Sequence, residues 1–272
     1  MAELSENDFI RFKDLIHKES GIFFDSMNRS ILESRLKERM RQKEIQTAEE
    51  YYHNVISDKK ELETLLDSVT TNLTKFFRNE KQFYAFRKNI LPEVIERNRQ
   101  TGKKTLKIWS AGCSTGEEPY SIACEILNLI DPVSWKISIL SSDISLKSLM
   151  KAKAGYYPKE RIEGVPEEYL KKFFIEEKEG YRIKDEVKNN IRFDYHNLKH
   201  DNGERDFDII FCRNVIIYFD KQEQERIVNH FYKCLKNPGH LFLGHSESLF
   251  GMQTFFKPLK VEGTFIYSKK ED

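Results

Sequence analysis

Leu106-Lys107-Ile108-Trp109, then Ser110-Ala111-Gly112-Cys113-Ser114-Thr115-Gly116, then Glu117 to Ile130 is the stretch that decides the fold class. A short apolar run enters a loop of small residues, and an amphipathic segment of helical length leaves it. Strand, loop and helix in that order form the first part of a βαβ unit. The alternation continues downstream. Trp135 to Leu140 predicts a strand ending in Ser141-Ser142-Asp143, with a helix through Ala154. Asp208-Ile209-Ile210-Phe211-Cys212 predicts a strongly apolar strand, followed by a helix from Lys221 to Lys236. Leu241-Phe242-Leu243 and Phe265-Ile266-Tyr267 close the series. This pattern predicts an α/β fold with a mostly parallel sheet and helices on both faces. One stretch interrupts it: Phe173-Phe174-Ile175 and Tyr181-Arg182-Ile183, around a turn with Gly180, predict an antiparallel hairpin inserted in the parallel scheme.

Upstream the texture is helical. Asn7 to Glu19 places Phe9, Phe12, Leu15 and Ile16 on one side, and Gly21 follows as a stop. A second helix starts near Ser26 or Asn28, with Leu32, Leu36 and Met40 recurring every four residues. Thr47 to Ile56 and Lys60 to Val69 predict two more helices. The expected organisation is a helical domain over residues 1–70, a linker and long helix over 71–104, and an α/β domain over 105–272 with its insertion near 160–190. The long helix is expected from Glu80 to about Asn98, with Pro92 inside it or kinking it.

Composition narrows the function classes. With 272 residues, 39% of them hydrophobic, the chain can bury a full core. A formal net charge of +1, from 45 basic and 44 acidic side chains, argues against a nucleic-acid binder that relies on overall positive charge. Met1 to Ile10 carries three acidic residues and no apolar core, unlike a signal peptide. No run of eighteen apolar residues occurs, so no spanning helix is expected and the location expected is cytoplasmic. Cys113, Cys124, Cys212 and Cys234 are scattered, with no CxxC and no His at ligand spacing; they are expected as buried reduced thiols, and no metal is expected.

Ligands of open parallel sheets sit at the carboxyl ends of the strands, which points to the loop Ser110 to Gly116. A dinucleotide site wants GxGxxG and a pyrophosphate on the helix N-terminus. Here there are only Gly112 and Gly116, and Glu117 and Glu118 open the helix. Anions at that place repel a pyrophosphate and suit a cationic ligand such as a sulfonium carrying an α-amino group. Glu118 also fits a capping box with Thr115, and the two roles are compatible. Asp143, at the end of the second strand, can accept from both ribose hydroxyls or can cap the helix that follows.

Five ordered segments together resemble the CheR family of chemotaxis receptor glutamate O-methyltransferases. They are Thr71-Asn72-Leu73-Thr74-Lys75-Phe76-Phe77-Arg78, Trp109 to Ser121, Ser142-Asp143-Ile144, Phe211-Cys212-Arg213-Asn214-Val215-Ile216-Ile217-Tyr218-Phe219-Asp220, and Gly244-His245-Ser246-Glu247. The resemblance covers nearly the whole chain. It implies a class I S-adenosylmethionine-dependent methyltransferase fold: a Rossmann-like, seven-stranded, mostly parallel sheet with an all-α N-terminal domain and a small antiparallel β-subdomain. It also implies methylation of glutamate side chains on methyl-accepting chemotaxis receptors, yielding methyl esters and S-adenosylhomocysteine.

The resemblance further implies roles for single residues. Asn72, Thr74 and Arg78 are similar to the linker that closes over the cofactor. Glu118 is similar to the contact to the methionine part, Asp143 to the ribose ligand, and Asn197-Leu198 to the adenine flank. Arg213 and Asn214 would lie under the cofactor, and Arg78 and Tyr218 nearest the transferred methyl. Gly112 and Cys113 stand where the family often has alanine, both small enough to keep the backbone close to a ligand, and His240 departs from the family's turn before the fifth strand.

The chemistry is consistent with these residues. A glutamate carboxylate ionises near pH 4.3, so as a nucleophile it needs no general base, and alignment supplies much of the catalysis. Arg78 can hold one acceptor oxygen and orient the other. His245 is expected to be a loop histidine with a structural hydrogen bond rather than an acid–base group. The basic segment Arg29 to Lys43 is a solvated helix face or, for an acidic receptor bundle, a docking surface in which Arg35 and Arg41 match the family best. Two rival readings stand beside this one. A methyltransferase for a small molecule or nucleic acid is opposed by Asn214-Val215-Ile216-Ile217-Tyr218, which lacks a Pro-Pro-Tyr-type motif. A catalytically weak cofactor-binding sensor is opposed by the presence of Arg78 and Tyr218.

Overall fold

Ser5 begins the first helix because its hydroxyl accepts from the Asp8 N–H while the Asp8 carboxylate accepts from the Ser5 N–H. The computed structural model describes residues 4–70 and 73–270, and they form two compact units. One comprises residues up to 70 with the segment Ile217–Gln224, and the other comprises the rest.

The first unit is helical: α1 (Glu6–Ser20), α2 (Arg29–Gln42), α3 (Ala48–Ser57) and α4 (Lys59–Val69). Gly21, at φ +80°, ends α1 in the left-handed conformation that glycine adopts without steric cost. Phe12, Ile16, Leu32, Leu36, Met40, Tyr51, Val55 and Leu65 form its core, the helical periodicity having put them on facing sides. Within this core sits a polar knot. Glu61, 3% exposed, accepts both oxygens' worth of bonds from Arg39 at 2.7–3.1 Å, and a further bond from the Tyr51 hydroxyl at 2.8 Å. Burial, with the Glu61 charge beside it, pushes the Tyr51 hydroxyl well above its usual pKa.

The second unit carries β1 (Thr105–Ala111), β2 (Lys136–Asp143), β3 (Tyr156–Pro158), β4 (Phe174–Glu177), β5 (Gly180–Ile183), β6 (Ile191–Tyr195), β7 (Phe207–Cys212), β8 (Leu235–Leu243), β9 (Lys257–Val261) and β10 (Thr264–Lys269). Its helices are α5 (Glu80–Ala85), α6 (Leu91–Gln100), α7 (Glu117–Leu129), α8 (Leu146–Ala154), α9 (Glu167–Phe173), α10 (Asp185–Lys188) and α11 (Lys221–Cys234), the last beginning in the segment Ile217–Gln224. Seven strands form one sheet in the order β6-β2-β1-β7-β8-β10-β9. The pairs β6/β2, β2/β1, β1/β7 and β7/β8 are parallel, while β10 runs antiparallel to both β8 and β9. Parallel strands covered on both faces read as near-continuous apolar runs, and every residue of β7 is buried, including Asp208, which Arg97 and Lys236 each pair at 2.9 Å. One face packs Phe83 and Phe86 onto Phe211 and Phe242, whose rings stack at 4.4 Å; the other packs Phe231 of α11 onto Trp109 at 5.3 Å.

Three expectations change. The insertion is a three-stranded antiparallel sheet, β3-β5-β4, rather than a hairpin alone. The helix expected from Glu80 to Asn98 contains a π-helical turn at Phe86–Ile90. Pro92 accounts for it, because proline donates no N–H and its ring collides with the carbonyl four residues back, which a wider turn relieves. Finally β8 begins at Leu235, six residues before the expected strand. The four cysteines are free and buried, and burial pushes the Cys113, Cys124 and Cys212 thiols well up.

Candidate active site

The carboxyl ends of β1, β2, β6, β7 and β8 gather the residues that the sequence singled out in the second unit. The loop after β1 turns back on itself through three left-handed residues, Gly112 (φ +79°), Ser114 (φ +48°) and Gly116 (φ +93°). Gly112 and Cys113 donate their N–H groups to the Ser142 carbonyl, at 2.8 and 3.0 Å. A Cβ at Gly112 would lie 2.4 Å from Val215 Cγ2. With valine at 215, therefore, only glycine fits at 112, a stricter requirement than smallness.

Asp143 closes β2, and its carboxylate accepts from the Ser114 N–H at 2.7 Å and the Ser145 N–H at 2.8 Å. The helix cap belongs to Ser145, whose hydroxyl accepts from Ser148, so capping does not account for Asp143. The carboxylate is thus fixed in orientation at the strand end, where a ribose diol binds in this fold class. Tyr195 pairs with Asp143 across β6 and β2, which brings Asn197 and Leu198 in just beyond it; Leu198 is buried.

The two carboxylates of α7 have separate fates. Glu117 is fully buried and bonded to Arg161 (2.5 Å) and the Thr115 hydroxyl (2.7 Å). Glu118 accepts from the Ser110 hydroxyl at 2.7 Å and, more loosely, from Arg213 at 3.3 Å. The capping box does not form: the N-cap is Gly116, and Thr115 spends its hydroxyl on Glu117. Arg161 pairs with Glu117 at 2.5 Å, and Arg213 lies 3.3 Å from Glu118. Burial raises the pKa of Glu118, the charges of Arg213 and Arg78 acting in the opposite sense.

Arg213 is buried and donates to Gln82 Oε1 at 2.8 Å, to Glu118 and to the Arg78 carbonyl. Burial lowers its pKa, though an arginine stays charged. Asn214 is left-handed at φ +59°, and the Glu247 carboxylate holds it by accepting from the N–H groups of Asn214 (2.7 Å), Val215 (2.9 Å) and Gly244 (2.5 Å). The linker preceding α5 is also left-handed at Phe77 and Asn79. Phe77 N–H is tied to the Ser121 hydroxyl, and Arg78 donates to the Leu73 carbonyl at 2.8 Å. Left-handed non-glycine residues carry strain that persists only where the surroundings impose it, which is common at functional sites.

Thr74 and Arg78 are half-buried in this linker; Asn72 lies outside the described residues. Tyr218 is placed in a 3-10 turn of the segment counted with the helical unit, where its carbonyl accepts from the Phe23 N–H at 2.8 Å. Arg35 and Arg41 are exposed on α2. Four polar residues of the site were assigned no role by the sequence: Ser110, Gln82, Arg161 and Glu247. Ser110 and Glu247 lay inside the quoted motifs, whereas Arg161 carried no local signal.

A left-handed loop between β1 and α7, a carboxylate fixed at the end of β2 and the half-buried Glu118 fit the cofactor site of a class I S-adenosylmethionine methyltransferase. The chain belongs to the CheR methyltransferase family: residues 72–265 match its "CheR methyltransferase, SAM binding domain" and residues 7–70 its "CheR methyltransferase, all-alpha domain". It is 32% identical over 278 residues to a chemotaxis protein methyltransferase of Escherichia coli, covering 99% of this chain and 93% of that one. It is 33% identical over 262 residues to chemotaxis protein methyltransferase 2 of Vibrio cholerae, covering 93% and 89%. A chemotaxis protein methyltransferase of Borreliella burgdorferi is 32% identical over 256 residues, covering 91% and 90%. The protein is an S-adenosylmethionine-dependent methyltransferase of chemotaxis; nothing in these likenesses supports the alternative of a sensor. Among the described residues no helix is long and apolar enough to cross a membrane, and no cluster of three His, Cys, Asp or Glu could hold a metal.

Proposed function

We propose that the protein methylates glutamate side chains on the acidic helical bundle of methyl-accepting chemotaxis receptors. The observation that supports this reading is Arg213, which donates both to Glu118 at 3.3 Å and to the Arg78 carbonyl and so ties the linker that carries Arg78 to the cofactor site. A cation beside the methyl donor suits an acceptor that is itself a carboxylate.

When bound, S-adenosylmethionine supplies a methyl group from its sulfonium to the acceptor oxygen, leaving S-adenosylhomocysteine. The protein's residues align the partners. Asp143 would accept from the ribose hydroxyls, Asn197 and Leu198 would flank the adenine, and Glu118 would pair with the α-ammonium. Arg213 and Asn214 would support the cofactor, and Thr74 and Arg78, with Asn72 of the same motif, would be the linker residues that contact it. Arg78 holds one oxygen of the acceptor and presents the other, with Tyr218 assigned to the methyl on the strength of its motif. The acceptor arrives ionised, so no proton has to be removed. On α2, Arg35 and Arg41 meet the acidic receptor surface. Both modification and protein reside on the cytoplasmic side in this reading.

Incubation with tritiated S-adenosylmethionine and receptor-bearing membranes should give a label released by mild base, as a methyl ester is. A base-stable label, or labelling that survives replacement of the receptor's glutamates, would overturn the glutamate assignment.

A further inference from the structure

The cofactor loop is gripped from the insertion side as well as from β2. Tyr157 of β3 donates its hydroxyl to the Thr115 carbonyl at 2.7 Å. Arg161, in the 3-10 turn Lys159–Arg161, donates from one nitrogen to Thr115 Oγ1 at 3.1 Å and Glu117 Oε1 at 2.5 Å. Thr115 Oγ1 in turn donates to Glu117 Oε2 at 2.7 Å, so one guanidinium, one hydroxyl and one buried carboxylate form a closed ring of bonds. Between them Gly116 has no slack. A Cβ there would lie 2.9 Å from the Tyr157 hydroxyl and 2.8 Å from Ala152 Cβ. Ser114, the residue before Thr115, is the one whose N–H holds Asp143. A charge as buried as that of Glu117 is tolerated only when paired and hydrogen-bonded, and Arg161 supplies both from 44 residues away.

We infer that Arg161 is a positioning residue for the cofactor: it fixes Thr115 and Glu117, and through the adjoining peptide it keeps Ser114 and Asp143 in the geometry that accepts the nucleoside. This rests on the cofactor reading of the site. Arg161 need not touch the cofactor. Its side chain belongs to the insertion and is 37% exposed, so the insertion sets part of the cofactor affinity. Supporting residues of this kind matter because a site held loosely by even an ångström loses much of its function.

The test is calorimetric titration of S-adenosylhomocysteine, with urea unfolding of each protein in parallel. The proteins are the wild type, Arg161→Ala, Arg161→Lys and the neutral pair Glu117→Gln/Arg161→Ala. Arg161→Ala should bind roughly tenfold more weakly, with Arg161→Lys recovering part of the loss. The neutral pair contains no uncompensated buried charge, so it should unfold near the wild-type midpoint and still bind more weakly; it decides the matter if Arg161→Ala does not fold. A folded variant lacking Arg161 that binds as tightly as wild type would reduce Arg161 to a charge partner of Glu117 and overturn the inference alone. Failure of the wild type itself to bind would overturn the cofactor reading and this inference with it.

Discussion

Glu61 in the helical unit and Glu118 in the α/β unit are both carboxylates largely withdrawn from water, and they are held in opposite ways. Glu61 takes three bonds from Arg39 and one from Tyr51, and Lys43 stands 3.5 Å away. Glu118 takes one short bond from Ser110 and one long one from Arg213, and burial raises its pKa. The first is over-determined and can only hold helices together. The second is ionised at a cost that a cationic ligand would relieve. Partner saturation, more than burial, separates Glu61 from Glu118, the carboxylate proposed to bind the cofactor.

The largest effect should come from neither carboxylate but from Arg78, on the linker that Arg213 ties to Glu118. Arg78→Ala is expected to lower receptor methylation by at least about a hundredfold, as loss of alignment does. Cofactor binding should fall less, since Arg78 also belongs to the closing linker. Methylation at the wild-type rate would break the link between Glu118's surroundings and the chemistry.

Next is stability. Glu61→Ala leaves Arg39 and Tyr51 without their acceptor and should cost about 3 kcal/mol in urea unfolding. Glu118→Gln removes a charge that burial penalises but also the carboxylate partner of the buried Arg213, so the two effects oppose and its loss of stability should be smaller than that of Glu61→Ala. Equal destabilisation of the two variants would erase the distinction drawn here.

Affinity should reverse the order. Glu118→Gln and Asp143→Ala should each weaken S-adenosylmethionine binding by roughly 1.5–3 kcal/mol, the worth of hydrogen bonds to a charged acceptor. Calorimetry showing unchanged affinity for either would remove that residue from the site.

The pH dependence follows from the direction of the Glu118 shift. Its folded pKa lies above the 4.5 of an unperturbed glutamate. In the window between the two values the folded chain binds more protons than the unfolded one, so the Glu118 contribution to stability falls as pH rises through it. On the proposed role of Glu118 the cofactor pairs with its ionised form, so affinity should fall as pH drops into the same window, by about 1 kcal/mol over the first unit. Glu118→Gln should flatten that part of the profile, and a persisting slope would assign it to another group.

Sequence legibility followed the range of the interactions. The strand ending at Asp143 and the loop Ser110 to Gly116 were visible because apolar runs and small residues are local signals. The division of labour between Glu117 and Glu118 was not, because the partner that claims Glu117 is distant in the chain. Strand β3 escaped because it is three residues long and ends in Pro158, a residue that argues against a strand. Strand β6 escaped because Ile191–Tyr195 lies at the sheet edge with its residues partly or fully exposed, leaving no apolar run. The motif resemblance supplied candidate roles that pattern reading could not, and the geometry then showed which neighbours support them, Glu247 and Arg161 foremost.

The smallest effect concerns α2, where charge lies outside. Of the basic residues from Arg29 to Lys43, Arg29 is engaged by Glu6 and Glu33, Arg39 and Lys43 by Glu61, and Arg35 by Glu38 at 3.6 Å, while Lys37 and Arg41 face the solvent side of the helix. Arg41 lines a groove of about 400 Å³ with Ser30, Glu33, Ser34, Lys37 and Glu38. Six residues apart, Arg35 and Arg41 point roughly 120° from one another around the helix, so a receptor bundle that meets both must wrap the helix rather than lie along one stripe. Each exposed contact is worth less than about 1 kcal/mol. The double change Arg35→Ala/Arg41→Ala should therefore slow receptor methylation by a modest factor, with cofactor affinity intact. The wild-type rate should fall as salt rises, since exposed charges more than about 8 Å apart are screened at physiological ionic strength, and the double variant should respond to salt less. If instead its rate and salt response match wild type, α2 is a solvated face. If Arg41→Ala alone reproduces the loss, the docking surface is the groove with Lys37, and Arg35 lies outside it.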